Sequence, residues 1–367
     1  MRTFDLPDLA LCVAARTIDR LTRRPEINLE DLEGIPEFEP HPDVQDVLGV
    51  LTNRLTGQSD IDYETKRLAT LYDFDGMDVS VHGKGPKEDA ESTLLVFNGT
   101  LEGLNARSDI FGQLALMTAG VERVITIPGP SEISNVKMPF LDSLKTIFDG
   151  DPERIAEFIY TKLESNVASL GRLKASGHSM GGHLELSVID LAIKRGAQVD
   201  SVIIQSAASV ARQGFDQLGA HIIFSPDNYG ARQRDSQLAP ALERFHLEPS
   251  ELEARKRGLG GFVVKAVAHP LANASMLRLD ATDTVPETMR RILEAGVHVT
   301  DIFSPEDKIT SPSEHVKMIQ ALLQTYGPLL NCSWTPGGHS ATNTPEVAAG
   351  LYMNDNVHRN YVTKVAA

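Results

Sequence analysis

The chain has 367 residues, 41% of them hydrophobic and 23% charged, enough apolar side chain for a sizeable core in one large domain with an insertion, or in two domains. A formal net charge of −15 argues against nucleic acid or an anionic membrane surface as the main partner, because phosphates would be repelled over most of the surface. Two cysteines, Cys12 and Cys332, build neither a disulfide scaffold nor a cysteine-rich metal site, and they fit a reducing compartment.

The opening MRTFDLPDLALCVAARTIDR carries an apolar run from Leu9 to Ala15, but Asp5 and Asp8 precede it where a secretory signal would be basic. It reads instead as an amphipathic helix, with Leu9, Val13, Ile18 and Leu21 at loosely helical spacing. No stretch approaches the roughly 20 apolar residues that span a bilayer, so no membrane span is expected and the expected location is the cytoplasm. Residues 1–65, with the Pro- and acid-rich link GIPEFEPHPDV, are expected to form an N-terminal helical extension. It carries no chemistry of its own and is a packing arm or a homodimer contact.

From Leu71 the pattern becomes short apolar runs separated by amphipathic segments, the alternation of a mostly parallel sheet covered by helices. MDVSVHG alternates like an exposed early strand, and STLLVFNGT is a continuous apolar strand ending in Asn98-Gly99-Thr100. A helix is expected around Ile110 to Ala119, then the strand ERVITIPGP, the helix DPERIAEFIYTKLES with Asp151 as its cap, and the strand GRLKASG. GGHLELSVIDLAIKRG follows as a helix and VDSVIIQSAAS as a buried strand. After about Val210 the alternation breaks into Pro-, Gly- and charge-rich segments, then resumes with the helix VPETMRRILEAG and the strand VHVTDIFS. The chain therefore divides into a core at 66–210 and 286–367 and an inserted cap or lid at 211–285.

Between the strand GRLKASG and the following helix stands Gly177-His178-Ser179-Met180-Gly181. A Gly-x-Ser-x-Gly turn in that position is a nucleophile elbow, in which small residues let the chain bend sharply enough to hold the serine hydroxyl above the sheet. The N-terminus of the helix then aims amides at a developing oxyanion. A serine at neutral pH needs a base, and the base an acid to orient it. SPEDKITSP presents Asp307 after the strand VHVTDIFS, with Asp301 and Glu306 as its alternatives, and PGGHS presents His339 near the C-terminus. The order Ser179, Asp307, His339 is the one this architecture requires.

On FNGT, IPGPSEIS, GHSMGG, SPEDKITSP and PGGHS the sequence resembles the α/β-hydrolase family, over roughly residues 70–355. The resemblance implies an α/β-hydrolase fold with Ser179 as nucleophile, His339 as general base and Asp307 as orienting carboxylate. It also implies oxyanion donors at the backbone N–H groups of Met180 and Thr100, although Asn98 stands where many members carry histidine. The activity implied is a serine hydrolase without metal or cofactor. It would cleave a carboxylic ester of a moderately apolar small molecule, since the insertion mixes Phe215, Phe224, Tyr229, Phe245, Phe262 and Met276 with charges. Thioester, amide or carbon–carbon hydrolysis, lyase or acyl-transfer chemistry, and a non-catalytic ligand-binding role remain open on the same fold. His178 and His183 lack the companions of a metal site and are expected to pack, as are His269 and His315 at or below the surface. GKGPKED lacks the ending and placement of a phosphate loop and reads as a link between strands.

Overall fold

The computed structural model describes residues 27, 29–56, 68–99, 104, 106–128, 145–146, 148–212, 214, 274, 278–279, 281–307 and 309–366. The expected Leu9 helix, Cys12, Thr100, His269 and nearly all of the 211–285 insertion, including its six aromatic and Met positions, lie outside the described residues.

Among the described residues, one sheet holds β1 Thr70–Asp73, β2 Asp78–Gly83, β3 Ser92–Phe97, β4 Arg123–Ile127, β5 Arg172–His178, β6 Val199–Gln205, β7 His298–Phe303 and β8 Leu330–Trp334. Their spatial order is β1-β2-β4-β3-β5-β6-β7-β8. β2 runs antiparallel to both β1 and β4, and every other neighbouring pair is parallel. The helices are α1 Val44–Thr56, α2 Ala106–Thr118, α3 Glu153–Asn166, α4 Met180–Lys194, α5 Val285–Glu294, α6 Pro312–Tyr326 and α7 Pro345–Ala366.

A parallel sheet needs crossover helices and so is covered on both faces, which is why β3, β4 and β6 have apolar centres. Leu95, Phe97, Ala175, Ile204 and Val299 face the layer of α3, α4, α5 and α6. Leu94, Val124, Ile203 and Ile302 face the layer that holds α7 and α2. Double coverage also explains β2, whose alternation predicted one exposed face. Ser80 and His82 are buried instead, the His82 Nε2 lying 2.9 Å from the Asp109 carbonyl on α2. A Cβ on Gly112 of α2 would lie 2.3 Å from that imidazole, so a glycine lets the helix approach.

Asp151 does serve the start of α3, its Oδ1 accepting the Glu153 N–H at 2.9 Å, but Pro152 occupies the capping position itself. The described part of residues 1–65 is built into the core. Leu32 and Ile35 join the main cluster, and Val44, Leu48 and Leu51 of α1 pack with Ile110 and Leu114 of α2 and Ala349 of α7. Residues 35–38 strap the edge of β8: the Phe38 N–H donates to the Trp334 carbonyl at 2.7 Å, and the Trp334 N–H to Pro36 at 3.0 Å. One ion pair joins β5 to α7 in the interior, Lys174 Nζ to Asp355 Oδ2 at 3.7 Å. No helix among the described residues is long and apolar enough to cross a membrane. Because β3 and β5–β8 run parallel, their C-terminal ends gather at one edge of the sheet, and the loops that carry the predicted site residues meet there.

Candidate active site

β5 ends at His178, the chain reverses at Ser179, and α4 begins at Met180. Ser179 has φ 57° and ψ −123°, a backbone conformation that costs on the order of 1–3 kcal/mol for a residue with a side chain. Its surroundings enforce it. The Ser179 N–H donates to the Gln205 carbonyl at 2.9 Å, and the Ser179 carbonyl accepts from the Gly182 and Ala208 N–H groups, each at 3.1 Å. The flanking glycines are required by crowding. A Cβ on Gly177 would sit 2.6 Å from the Gly181 carbonyl, and one on Gly181 would sit 2.2 Å from the Phe97 carbonyl oxygen. Both obstacles are backbone, which cannot rotate aside. Met180 is the first residue of α4, so its N–H belongs to the first-turn amides that have no partner within the helix.

A strained serine between a parallel strand and a helix, at the C-terminal edge of a sheet in this order, decides the architecture. The chain has the α/β-hydrolase fold.

In this α/β-hydrolase fold the loop after β7 places Asp307 inside the protein. Its Oδ1 accepts the N–H groups of Ile309 (2.7 Å) and Thr310 (3.1 Å), and its Oδ2 accepts the Thr310 hydroxyl (2.7 Å) and His339 Nδ1 (2.7 Å). Burial alone would raise this carboxyl, but the charge and hydrogen bond of His339, with the Thr310 hydroxyl and the Ile309 amide, outweigh it and hold it below the usual range. An ionised carboxylate only accepts, so Nδ1 of His339 carries the proton and Nε2 is left as the basic nitrogen.

His339 opens a short 3-10 turn, His339–Asn343, that follows Gly337 and Gly338. Its carbonyl lies 3.3 Å from His178 Nε2 and accepts the Thr342 hydroxyl at 3.2 Å, while the two imidazole rings stand 4.8 Å apart. The histidine next to Ser179 thus touches His339, and His339 bonds to Asp307. Ser179, Asp307 and His339 therefore lie at the same end of the sheet. Met180 is beside them, and Thr100 lies outside the described residues.

The two alternative acids are elsewhere. Asp301 sits within β7, its Oδ2 2.7 Å from His315 Nε2, and both side chains are fully buried. Glu306 is exposed, and its N–H donates to Ser304 Oγ. His315 is a core residue stacked on Phe303, with ring centroids 4.9 Å apart. His183 is a buried clamp between Ser209 and Thr284, each 2.8 Å from one of its ring nitrogens. No group of three or more metal-ligating side chains occurs among the described residues. Sequence reasoning missed Thr310, His178 and Thr342 as supports of the pair. Thr310 had a local signal, since an Asp whose carboxylate binds amides two and three residues on forms a recognisable turn. His178 and Thr342 had none, because their role depends on where His339 arrives.

No family model and no curated protein sequence matches the chain. Among solved structures, it is similar to a hydrolase, olei00960, from Oleispira antarctica (15% identity, TM-score 0.49, 80% of this chain and 99% of that one). It is also similar to the peroxisomal α/β-hydrolase Lpx1 of Saccharomyces cerevisiae (11% identity, TM-score 0.47, 78% and 83%). A third similarity is to the α/β-hydrolase MGS-M2 from a Medee basin deep-sea metagenome library (12% identity, TM-score 0.45, 78% and 97%).

Proposed function

We propose that the protein is a serine hydrolase that cleaves a carboxylic ester of a moderately apolar small molecule through an acyl-enzyme. The observation that carries this reading is the 2.7 Å hydrogen bond between Asp307 and His339, placed beside the strained Ser179 elbow. His339 Nε2 takes the hydroxyl proton as Ser179 Oγ adds to the carbonyl carbon. The oxyanion lies against the Met180 N–H, with the Thr100 N–H as the second donor, each worth on the order of 3 to 4 kcal/mol. The proton then passes from Nε2 to the departing alkoxide as the C–O bond breaks. Water, deprotonated by the same nitrogen, attacks the ester on Ser179, and the bond from Ser179 Oγ to the acyl carbon breaks as Nε2 returns the proton to Oγ and the acid leaves. Asp307 stays ionised throughout and stabilises the imidazolium. The scheme uses no metal or cofactor, and the charge and cysteine content suit a cytoplasmic enzyme.

The test is a fluorophosphonate probe with wild type, Ser179→Ala and His339→Ala, followed by intact mass. The expected result is one adduct on wild type alone, mapped to Ser179, after which an ester panel of graded acyl length defines the pocket. A folded wild type that takes no label refutes the reading.

A further inference from the structure

Asp307 and His339 sit on different loops, so their 2.7 Å contact needs something to hold those loops together. Ser304, the residue immediately after β7, is wholly buried and touches both. Its hydroxyl donates to the carbonyl of Gly337, in the loop that delivers His339. The same oxygen accepts the Glu306 N–H at 3.2 Å, and the Ser304 carbonyl accepts the Asp307 N–H at 3.1 Å. Gly337 has φ 111°, so its carbonyl points in a direction that a residue with a side chain would rarely give it. The sheet supports the same junction, the Thr335 N–H donating to the Phe303 carbonyl at 3.0 Å.

We propose that Ser304 is a positioning residue whose hydroxyl cross-links the acid loop to the base loop and so sets the Asp307–His339 geometry. It rests on the hydrolase reading above, and it does not involve contact with substrate. Without the hydroxyl, the Gly337 carbonyl is left without this buried partner and must turn to find another. The turn carries His339 with it.

The experiment compares wild type, Ser304→Ala and Ser304→Thr by the saturable rate of fluorophosphonate labelling. It adds the downfield proton NMR signal of the His339 Nδ1–H, assigned by its loss in His339→Gln. The alanine variant is expected to label about 10- to 100-fold more slowly at saturation, with the half-saturating probe concentration unchanged. Its downfield signal should move or broaden, and threonine, which keeps the hydroxyl, should restore both. Wild-type rate and signal in Ser304→Ala overturn the proposal. If wild type itself takes no label, the hydrolase reading has failed and the resonance alone decides on Ser304, an unmoved signal in Ser304→Ala again overturning it. Should the alanine variant not fold, Ser304→Cys, with a weaker donor, takes its place and is expected to fall between wild type and the stated loss; a wild-type rate and signal there overturn the proposal equally.

Discussion

His183 gives a pH-dependent stability that can be worked from its contacts. The Ser209 hydroxyl donates to the Leu279 carbonyl at 2.6 Å, so at the His183 contact Ser209 is the acceptor and Nδ1–H the donor. Nε2 is then left to accept the Thr284 hydroxyl at 2.8 Å, and the ring is neutral. Burial lowers this imidazole from 6.5 to about 4. Between those values the unfolded chain binds a proton that the folded chain refuses, so acidification favours unfolding. The stability contribution is complete above pH 6.5 and is lost as the pH falls towards 4. From pH 7 to pH 4.5 the loss is about 2 kcal/mol. His82, lowered to about 4 by burial against the opposing Asp109 hydrogen bond, pulls the same way. Glu185, raised by burial, pulls the other way, because the folded state keeps a proton that the unfolded chain releases above its ordinary value of 4.5. Both groups remain in a His183→Gln variant, so the difference between the two proteins isolates His183. Urea unfolding across pH 4.5 to 7 should show the variant less stable at pH 7, with a pH dependence shallower by about 2 kcal/mol over the range. Parallel curves would refute the assignment of a neutral, buried His183.

Three further outcomes follow from the site and the core. Asp307→Asn lets His339 carry its proton on the wrong nitrogen, so kcat on an ester should fall by roughly 10³–10⁴-fold, with some loss of stability because the lowered carboxyl favours the folded state at neutral pH; a kcat loss below tenfold would remove Asp307 from the mechanism. Gly181→Ala drives a Cβ to 2.2 Å from the Phe97 carbonyl oxygen and 2.6 Å from that of Asn98. It should destabilise by at least about 1–3 kcal/mol in a urea melt, and an unchanged midpoint would show that the elbow can relax. Lys174→Met leaves Asp355 charged in the interior, where each side chain of the pair is only 2% exposed, and should cost about 3–5 kcal/mol. Lys174→Met with Asp355→Leu should recover only part of that loss, because Lys174 also donates to the Ala119 carbonyl and to Asn356, and Ser201 donates to Asp355; a double variant less stable than the single one would refute the pairing.

The strands β3, β4 and β6 were legible because each is buried on two faces and has an apolar centre, whereas β5 and β7 also carry the buried Lys174 and Asp301. β2 was half legible. Its alternation marked a strand, but its polar face lies under α2, and the coverage of His82 depends on Gly112 of that helix. His315 was read as packing or surface and is a buried partner of Asp301, a contact set by the placement of α6 against β7. Strand position separates Asp307 from its two neighbours: Asp301 is inside the strand, and Glu306 faces solvent.

Contiguous residues fix only local structure. Gly177, Ser179 and Gly181 encode a turn within five residues, and Asp307 with Thr310 encodes a carboxylate held by its own loop, because backbone dihedrals and short-range hydrogen bonds are decided by near neighbours. The tertiary structure decided which groups those local pieces meet. His339 reaches Asp307 from 32 residues away, and His178 reaches the His339 carbonyl across 161. The physical cause is the parallel pairing of β7 with β8, from Val299 opposite Leu330 to Phe303 opposite Trp334. That register brings the ends of the two strands, and the loops beyond them, to the same height at one edge of the sheet, a relation that no stretch of contiguous residues contains.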